Sequence, residues 1–467
     1  MHFSEDKNRV GLKKYYDIEM EIFNILLEKS KVDTKFSLSD EQINNAIKQA
    51  EKEQGFEYVK EQLDVINKSL KRSVSLISGK AGTGKSSIMR AIIGAYQKNN
   101  YSVTSCALSA MASKRITEAT GFPAATIHRT LGCQGFNKFL YNKDNPLITS
   151  VVFLDEGSMV NASLFLRLLN AVGKYTRIVI CGDHKQLPPI GYGNVFSDLI
   201  ETFDDTISSK LTKPMRQAQM SGILSDANLI RENVNPVKEF KPKVVHGQLQ
   251  DMYYLFRNNR QTLFDIAVKT YLKAVEKDGI DNVVIITPRK QNCLNSTQEI
   301  NKIIQEKLLG DEKQEIVGYE MSFKLGAKVV QTVNDYDNNV FNGDIGYVTK
   351  IANDTTNGKS KMEYCEVTFK DSLTQEDKIV RYNKKDLSVL NLAYALTTHK
   401  IQGSGIKTVI GIIDYTHYQL LDNCMLYTML TRAKKRCLLL AEPNAFLHCI
   451  RTSHNNRNTW IVIENNN

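Results

Sequence analysis

Apolar residues in the first fifty positions recur at helical spacing: Ile18, Ile22 and Leu26, then Ile43 and Ile47, each set separated by polar residues. Steps of three to four place each set on one face, so 1–54 is predicted to be a helical N-terminal extension. From about residue 55 the texture changes. Short β-branched runs at Val74 to Ser78, Ser102 to Leu108, Val151 to Leu154 and Arg177 to Cys181 are each followed by a helical stretch. Strands alternating with helices predict a parallel sheet covered on both faces. A second α/β series begins near Leu211, with strands at Val283 to Thr287, Thr408 to Ile413 and Cys437 to Leu440. Between them, at about 324–387, short alternating strands and turns at Asn342-Gly343 and Asn357-Gly358 predict a small inserted β subdomain. The predicted domains are therefore 1–54, 55–205 with a short insert at 132–150, and 206–467 including the β insert.

The chain's 467 residues can bury more than one core. Its 42% hydrophobic and 24% charged residues are ordinary for a globular protein, and no apolar run approaches the length of a membrane helix. Lys plus Arg is 61 against 51 acidic residues, a net charge of +10. That excess suits a phosphate-rich partner without requiring one. The eight cysteines form no C-x-x-C pair, and Met1 to Asp6 has no basic or apolar leader character. Both features predict free thiols and a cytoplasmic location.

Gly79-Lys80-Ala81-Gly82-Thr83-Gly84-Lys85-Ser86 matches G-x-x-x-x-G-K-[ST] and lies between a predicted strand and a predicted helix. In that context it reads as a P-loop. Backbone amides of Gly79, Ala81, Gly82, Thr83, Gly84 and on to Ser87 would cradle phosphates, Lys85 would reach the β/γ oxygens, and Ser86 would ligate Mg²⁺. The cofactors implied are ATP and Mg²⁺. Val151 to Leu154 ends in Asp155-Glu156, expected beside the P-loop, with Asp155 on the metal and Glu156 as general base. Gln186, after the next strand, could touch the γ-phosphate and the attacking water.

The order of these motifs resembles that of superfamily 1 helicases of the RecD/Dda type, the 5′-to-3′ branch. Gln62 falls where that family has its adenine-reading glutamine, and Ala107 to Ala112 at its first DNA-contacting motif, with Ser109 replacing a threonine and Leu108 a proline. Thr126-Ile127-His128 is similar to its T-I-H element, and Leu211 to Gln217 to the segment whose arginine, here Arg216, reaches the γ-phosphate. Thr287-Pro288-Arg289 resembles a DNA-backbone motif. Ala393 to Ser404 is close to A-Y-A-x-T-x-H-K-x-Q-G-S, which brings in Thr398, His399, Lys400 and, on the nucleotide side, Gly403. Tyr427 to Ala433 matches Y-T-A-x-T-R-A, with Arg432 as the implied arginine finger, and Asn342 to Gly346 matches the N-G-D-x-G turn of an SH3-like subdomain.

The resemblance implies two RecA-like P-loop NTPase lobes with parallel sheets, a short β-hairpin wedge at 132–150, an inserted SH3-like β subdomain and the helical extension. It implies ATP-driven 5′-to-3′ movement on single-stranded DNA with separation of forked duplex. A monomer is expected, with replication or recombination proteins as candidate partners and no membrane. Phe136, Phe139 and Tyr141 are the wedge candidates, core packing being their competing role. Two alternatives remain: a single-strand-dependent translocase that unwinds weakly, and a nucleotide-gated DNA-binding subunit of a larger nuclease complex.

Overall fold

The computed structural model describes every residue except 4–8, 136–137, 204, 355–361, 372–375, 454–456, 458 and 466–467. The chain divides into two compact units, Met1–Ala218 with Asn455–Asn467, and Gln219–His454.

In the first unit, among the described residues, six strands form one sheet: β1 Val74–Gly79, β2 Val103–Ala107, β3 Ala124–Thr126, β4 Val151–Leu154, β5 Arg177–Gly182 and β6 Ser208–Leu211. They lie in the order β3-β2-β4-β5-β1-β6, every neighbouring pair parallel. Alternation along the strands sends side chains to two faces. Leu76, Val152, Leu154, Ile178 and Ile180 pack under helix α1 (Lys13–Ser30), where Ile22 and Leu26 enter the core. Ile77, Val151, Phe153 and Val179 pack under α2 (Asp40–Gln54), α3 (Lys60–Lys71), α4 (Lys85–Lys98) and α5 (Ala110–Thr120). The predicted helices of 1–54 therefore belong to the core of this unit. Two buried cations that the hydrophobic pattern does not reveal tie loops to it. Arg177 donates to the carbonyls of Leu70 and Arg72 at 2.8 and 2.9 Å, and Lys29 to that of Gly173 at 2.7 Å.

The expected boundary after 205 is corrected. β6 pairs with the P-loop strand β1, so the first sheet claims 208–211 and the division falls after Ala218. The chain also returns: the helix Trp460–Asn465 packs on α1 and on the helix Val195–Thr202, and Trp460 N donates to the Glu19 carboxylate at 2.6 Å.

The second unit holds, among its described residues, another six-stranded sheet, in the order Ala395–Thr397, Val283–Thr287, Ile406–Ile413, Ala433–Ala441, Met252–Phe256, Val244–His246. All neighbours are parallel except the last pair. Inserted in it is an antiparallel five-stranded sheet of Asp377–Asn383, Met362–Lys370, Ile345–Asp354, Lys328–Gln331 and Leu390–Leu392. The expected Asn342-Gly343 turn is present. Gly343 has φ +99°, a conformation that suits glycine, and the Asp344 carboxylate accepts from Phe341 N at 2.7 Å. Asn357-Gly358 lies outside the described residues.

Candidate active site

In a parallel sheet the strand ends and the following helix N-termini share one edge, so residues remote in sequence meet there. β1 runs into the P-loop and α4 begins at Lys85, with Gly82 at φ +78° and Gly84 at φ +87°. At Gly79 and Gly84 the loop has no room for a side chain. A Cβ on Gly79 would stand 2.8 Å from Thr83 Oγ1 and 3.1 Å from Leu211 Cβ, and one on Gly84 would strike the Gln62 amide. Lys85 Nζ donates to the carbonyls of Gly79 and Lys80, at 2.5 and 3.0 Å. Gln62, on α3, is buried; its Nε2 donates to Thr83 O at 3.0 Å and its Oε1 accepts from Val59 N. Its amide thus braces the loop from beneath.

Asp155 and Glu156 follow β4. β4 is not the direct neighbour of the P-loop strand, because β5 runs between them and pairs with both. The acids still reach the same edge. Both are buried, and Glu156 sits at φ +53°, a left-handed backbone conformation unusual for a side-chain-bearing residue and characteristic of strained functional positions. Burial raises the Asp155 carboxyl above the ordinary carboxylate range and the neighbouring Glu156 adds to this, while Arg115 and Lys85 oppose it. Gln186 is buried in the loop after β5, its N–H donating to Asp183 O.

Sequence reasoning missed Arg115 entirely. Projecting from α5, its Nη1 donates to Glu156 Oε1 and its Nη2 to Ser86 Oγ, both at 3.1 Å. The only signal in the sequence is a cation six residues after Ser109. A glycine cradle closed to Cβ atoms, one ammonium, one hydroxyl and a buried carboxylate suit a nucleoside triphosphate with Mg²⁺, which takes one or two protein oxygens and completes its shell with phosphate and water. Ser86 Oγ and Asp155 are the residues that would hold that ion, and Ser87 continues α4 behind them.

The other motif residues of this unit occupy helix starts. Ser109 caps α5, accepting from Ala112 N at 3.2 Å, and Thr126 caps the turn Ile127–Thr130, accepting from Arg129 N at 3.2 Å. Burial lowers the His128 imidazole below its ordinary value. Arg216 opens a short helix, and its side chain lies outside the described residues. Among the described residues of 132–150, Cys133 bridges Phe139 in antiparallel fashion, with Leu140 N donating to Gly132 O and Gln134 N to Lys138 O. Phe139 and Tyr141 pack against the core and Arg167 lies 5.0 Å over the Phe139 ring; Phe136 lies outside the described residues.

In the second unit the motif side chains turn inward. Thr287, expected to touch DNA, is fully buried and donates to Asn295 O at 2.6 Å, so its hydroxyl builds the loop that carries Arg289. Arg289 donates to Thr416 O at 3.0 Å. Thr398 is buried, with no hydrogen-bond partner for Oγ1 among the described residues. Next to the half-buried His399, Lys400 has its ammonium lowered by burial and by Lys290. Gly403 adopts φ +76°. Arg432, 2% exposed, donates to Thr428 O at 3.2 Å and Ser404 O at 3.4 Å. Asn301, which no motif marks, has both ends of its buried amide engaged: Nδ2 donates to Leu392 O and Ala395 O, and Oδ1 accepts from Tyr394 N and Ala395 N.

Residues 57–251 match the family described as an AAA domain, 300–369 the ATP-dependent RecD-like DNA helicase SH3 domain, and 392–440 the UvrD-like helicase C-terminal domain. The ATP-dependent RecD2 DNA helicase of Deinococcus radiodurans is 29% identical over 407 residues, covering 86% of this chain and 52% of that protein. The RecBCD enzyme subunit RecD of Buchnera aphidicola is 23% identical over 513 residues, covering 95% of this chain and 82% of the other. The chain thus spans about half the length of the RecD2 relative. Among solved structures, the Pif1 helicase from Bacteroides in complex with ADP-AlF3 and ssDNA aligns at 17% identity and a TM-score of 0.49, over 84% of this chain and 94% of that one. The three family matches, in chain order, bear out the resemblance to superfamily 1 helicases of the RecD/Dda type. No helix of the described residues is long and apolar enough to cross a membrane.

Proposed function

We propose that this chain is an ATP-dependent DNA helicase or translocase that moves 5′ to 3′ on single-stranded DNA. The observation that carries the reading is the convergence, at one sheet edge, of the closed P-loop, Lys85, Ser86 and the Asp155-Glu156 pair. Lys85 would exchange its loop carbonyls for phosphate oxygens. Ser86 and Asp155 would hold Mg²⁺, which when bound screens the phosphate charge. Glu156 would take the proton of the attacking water, and Gln186 would orient that water. Arg216 and Arg432 are the arginines assigned by family resemblance to the γ-phosphate, and Gln62 and Gly403 to the nucleotide.

Single-stranded and forked DNA are the proposed partners, with Ser109, Thr126, His128, Arg289, Thr398, His399 and Lys400 on the strand. Thr287 would act there by holding Arg289's loop. The protein is proposed to work as a monomer in the cytoplasm. A translocase with weak unwinding is the second reading, favoured by the packing of Phe139 and Tyr141 on the core.

The test is ATP turnover with and without single-stranded DNA, followed by unwinding of duplexes bearing a 5′ or a 3′ tail. Strong stimulation, unwinding from the 5′ tail only and steep loss of DNA binding with salt are expected. Absence of stimulation would refute the assignment. Stimulation without unwinding selects the second reading.

A further inference from the structure

The Arg115 guanidinium lies between two groups with opposite needs. Ser86 Oγ accepts one of its hydrogen bonds, and Glu156 Oε1 accepts another. A serine hydroxyl that ligates Mg²⁺ gives a lone pair to the ion, and a second cation on the same small oxygen is electrostatically unfavourable. The bond to Glu156 carries no such conflict, since a carboxylate accepts a guanidinium readily. Arg115 also belongs to α5, whose first turn is capped by Ser109. Six residues of helix separate the two, roughly 9 Å of rigid backbone. Of the residues around the site, Arg115 thus joins the metal-side hydroxyl, the base and a helix that starts at a DNA-motif residue.

We propose that Arg115 is a positioning residue that competes with Mg²⁺ for Ser86 and links the strand-contacting end of α5 to the metal site. Binding of single-stranded DNA at the Ser109 end draws the guanidinium off Ser86 while its bond to Glu156 persists. The nucleotide site then accepts Mg²⁺ more readily. Coupling of this kind is reciprocal, so Mg²⁺-nucleotide tightens strand binding by the same factor. The inference rests on the nucleotide and DNA assignments proposed above, but it adds a residue and a direction of coupling.

The test needs no turnover. Binding of a fluorescent ADP is titrated with Mg²⁺, with and without an oligo-dT strand, for wild type, Arg115→Gln and Arg115→Lys. Removing one charge-assisted hydrogen bond from Ser86 is expected to lower the Mg²⁺ concentration at half-saturation roughly tenfold in Arg115→Gln without DNA. Oligo-dT should lower it in wild type and leave Arg115→Gln unchanged. Arg115→Lys, a cation too short to bridge both groups, should fall between them, and it carries the test if Arg115→Gln fails to fold. An unchanged or raised Mg²⁺ requirement in the variants overturns the competition. A DNA effect of wild-type size in Arg115→Gln overturns the link. Failure of wild type to bind the nucleotide at any Mg²⁺ concentration would instead count against the proposed function itself.

Discussion

In the first unit three polar side chains of the candidate site bond one another, whereas in the second Arg432 and Thr287 bond backbone carbonyls. Ser86, Glu156 and Arg115 form one polar chain at the end of the sheet, and Lys85 lies on the loop above β1. Arg432 and Thr287, by contrast, donate hydrogen bonds to carbonyls of their own unit. The difference teaches that a motif residue can carry chemistry while also supporting the fold, and that substitution will separate the two. In the first unit, substitution should remove activity at a smaller cost in stability. In the second it should reduce both.

The largest expected effect lies at Arg432. Arg432→Ala should reduce DNA-stimulated ATP turnover roughly 10³-fold or more, as for arginine fingers, and should also lower the melting temperature, because the guanidinium is buried on two carbonyls. Lys85→Ala should cause a comparable loss of turnover with a smaller fall in melting temperature, because Lys85 is only half-buried. If the two variants melt alike, the contrast between the units fails. Next is Glu156→Gln, which keeps the side-chain shape and the left-handed backbone. Turnover should fall about 10²- to 10⁴-fold while nucleotide binding persists, as fluorescence titration would show.

Asn301→Ala tests the second unit without touching any motif. It leaves two buried N–H groups and two carbonyls short of a partner, so urea unfolding should show a loss of about 3 kcal/mol. The smallest effect concerns Asp198 in the first unit, on the helix that receives the returning C-terminal segment. Burial pushes its carboxyl up to about 8, against about 3.9 in an unfolded chain. Between those values the folded protein keeps a proton that the unfolded chain has released, so stability falls as pH rises from about 4 to about 8. Wild type should lose up to about 1.4 kcal/mol for each pH unit over that range relative to Asp198→Asn, whose side chain does not titrate. Parallel melting curves of the two proteins from pH 5 to pH 8 would check this.

The P-loop was legible because strand, glycines, lysine and helix are consecutive, and local rules suffice to place them. The acid pair was legible for the same reason, although its neighbour in the sheet was not, since strand order depends on which helices cover which face. The β insert was legible from its turns, the Asn342-Gly343-Asp344 turn above all. Arg115 was not, because a single arginine on an amphipathic helix reads as a solvated surface charge. Asn301 was hidden likewise, its four bonds all reaching residues more than ninety positions away.

From its own order of residues, the chain determined the alternation of strands and helices, the inserted β segment, the phosphate loop and the identity of the acid pair, because each depends on groups a few positions apart. Tertiary structure alone decided where the first unit ends, since β6 and the C-terminal helix join it by pairing and packing across long separations. It also decided which motif side chains meet at the candidate site and which bond the backbone. That choice depends on burial and hydrogen-bond geometry, which exist only once the sheets have closed over their cores.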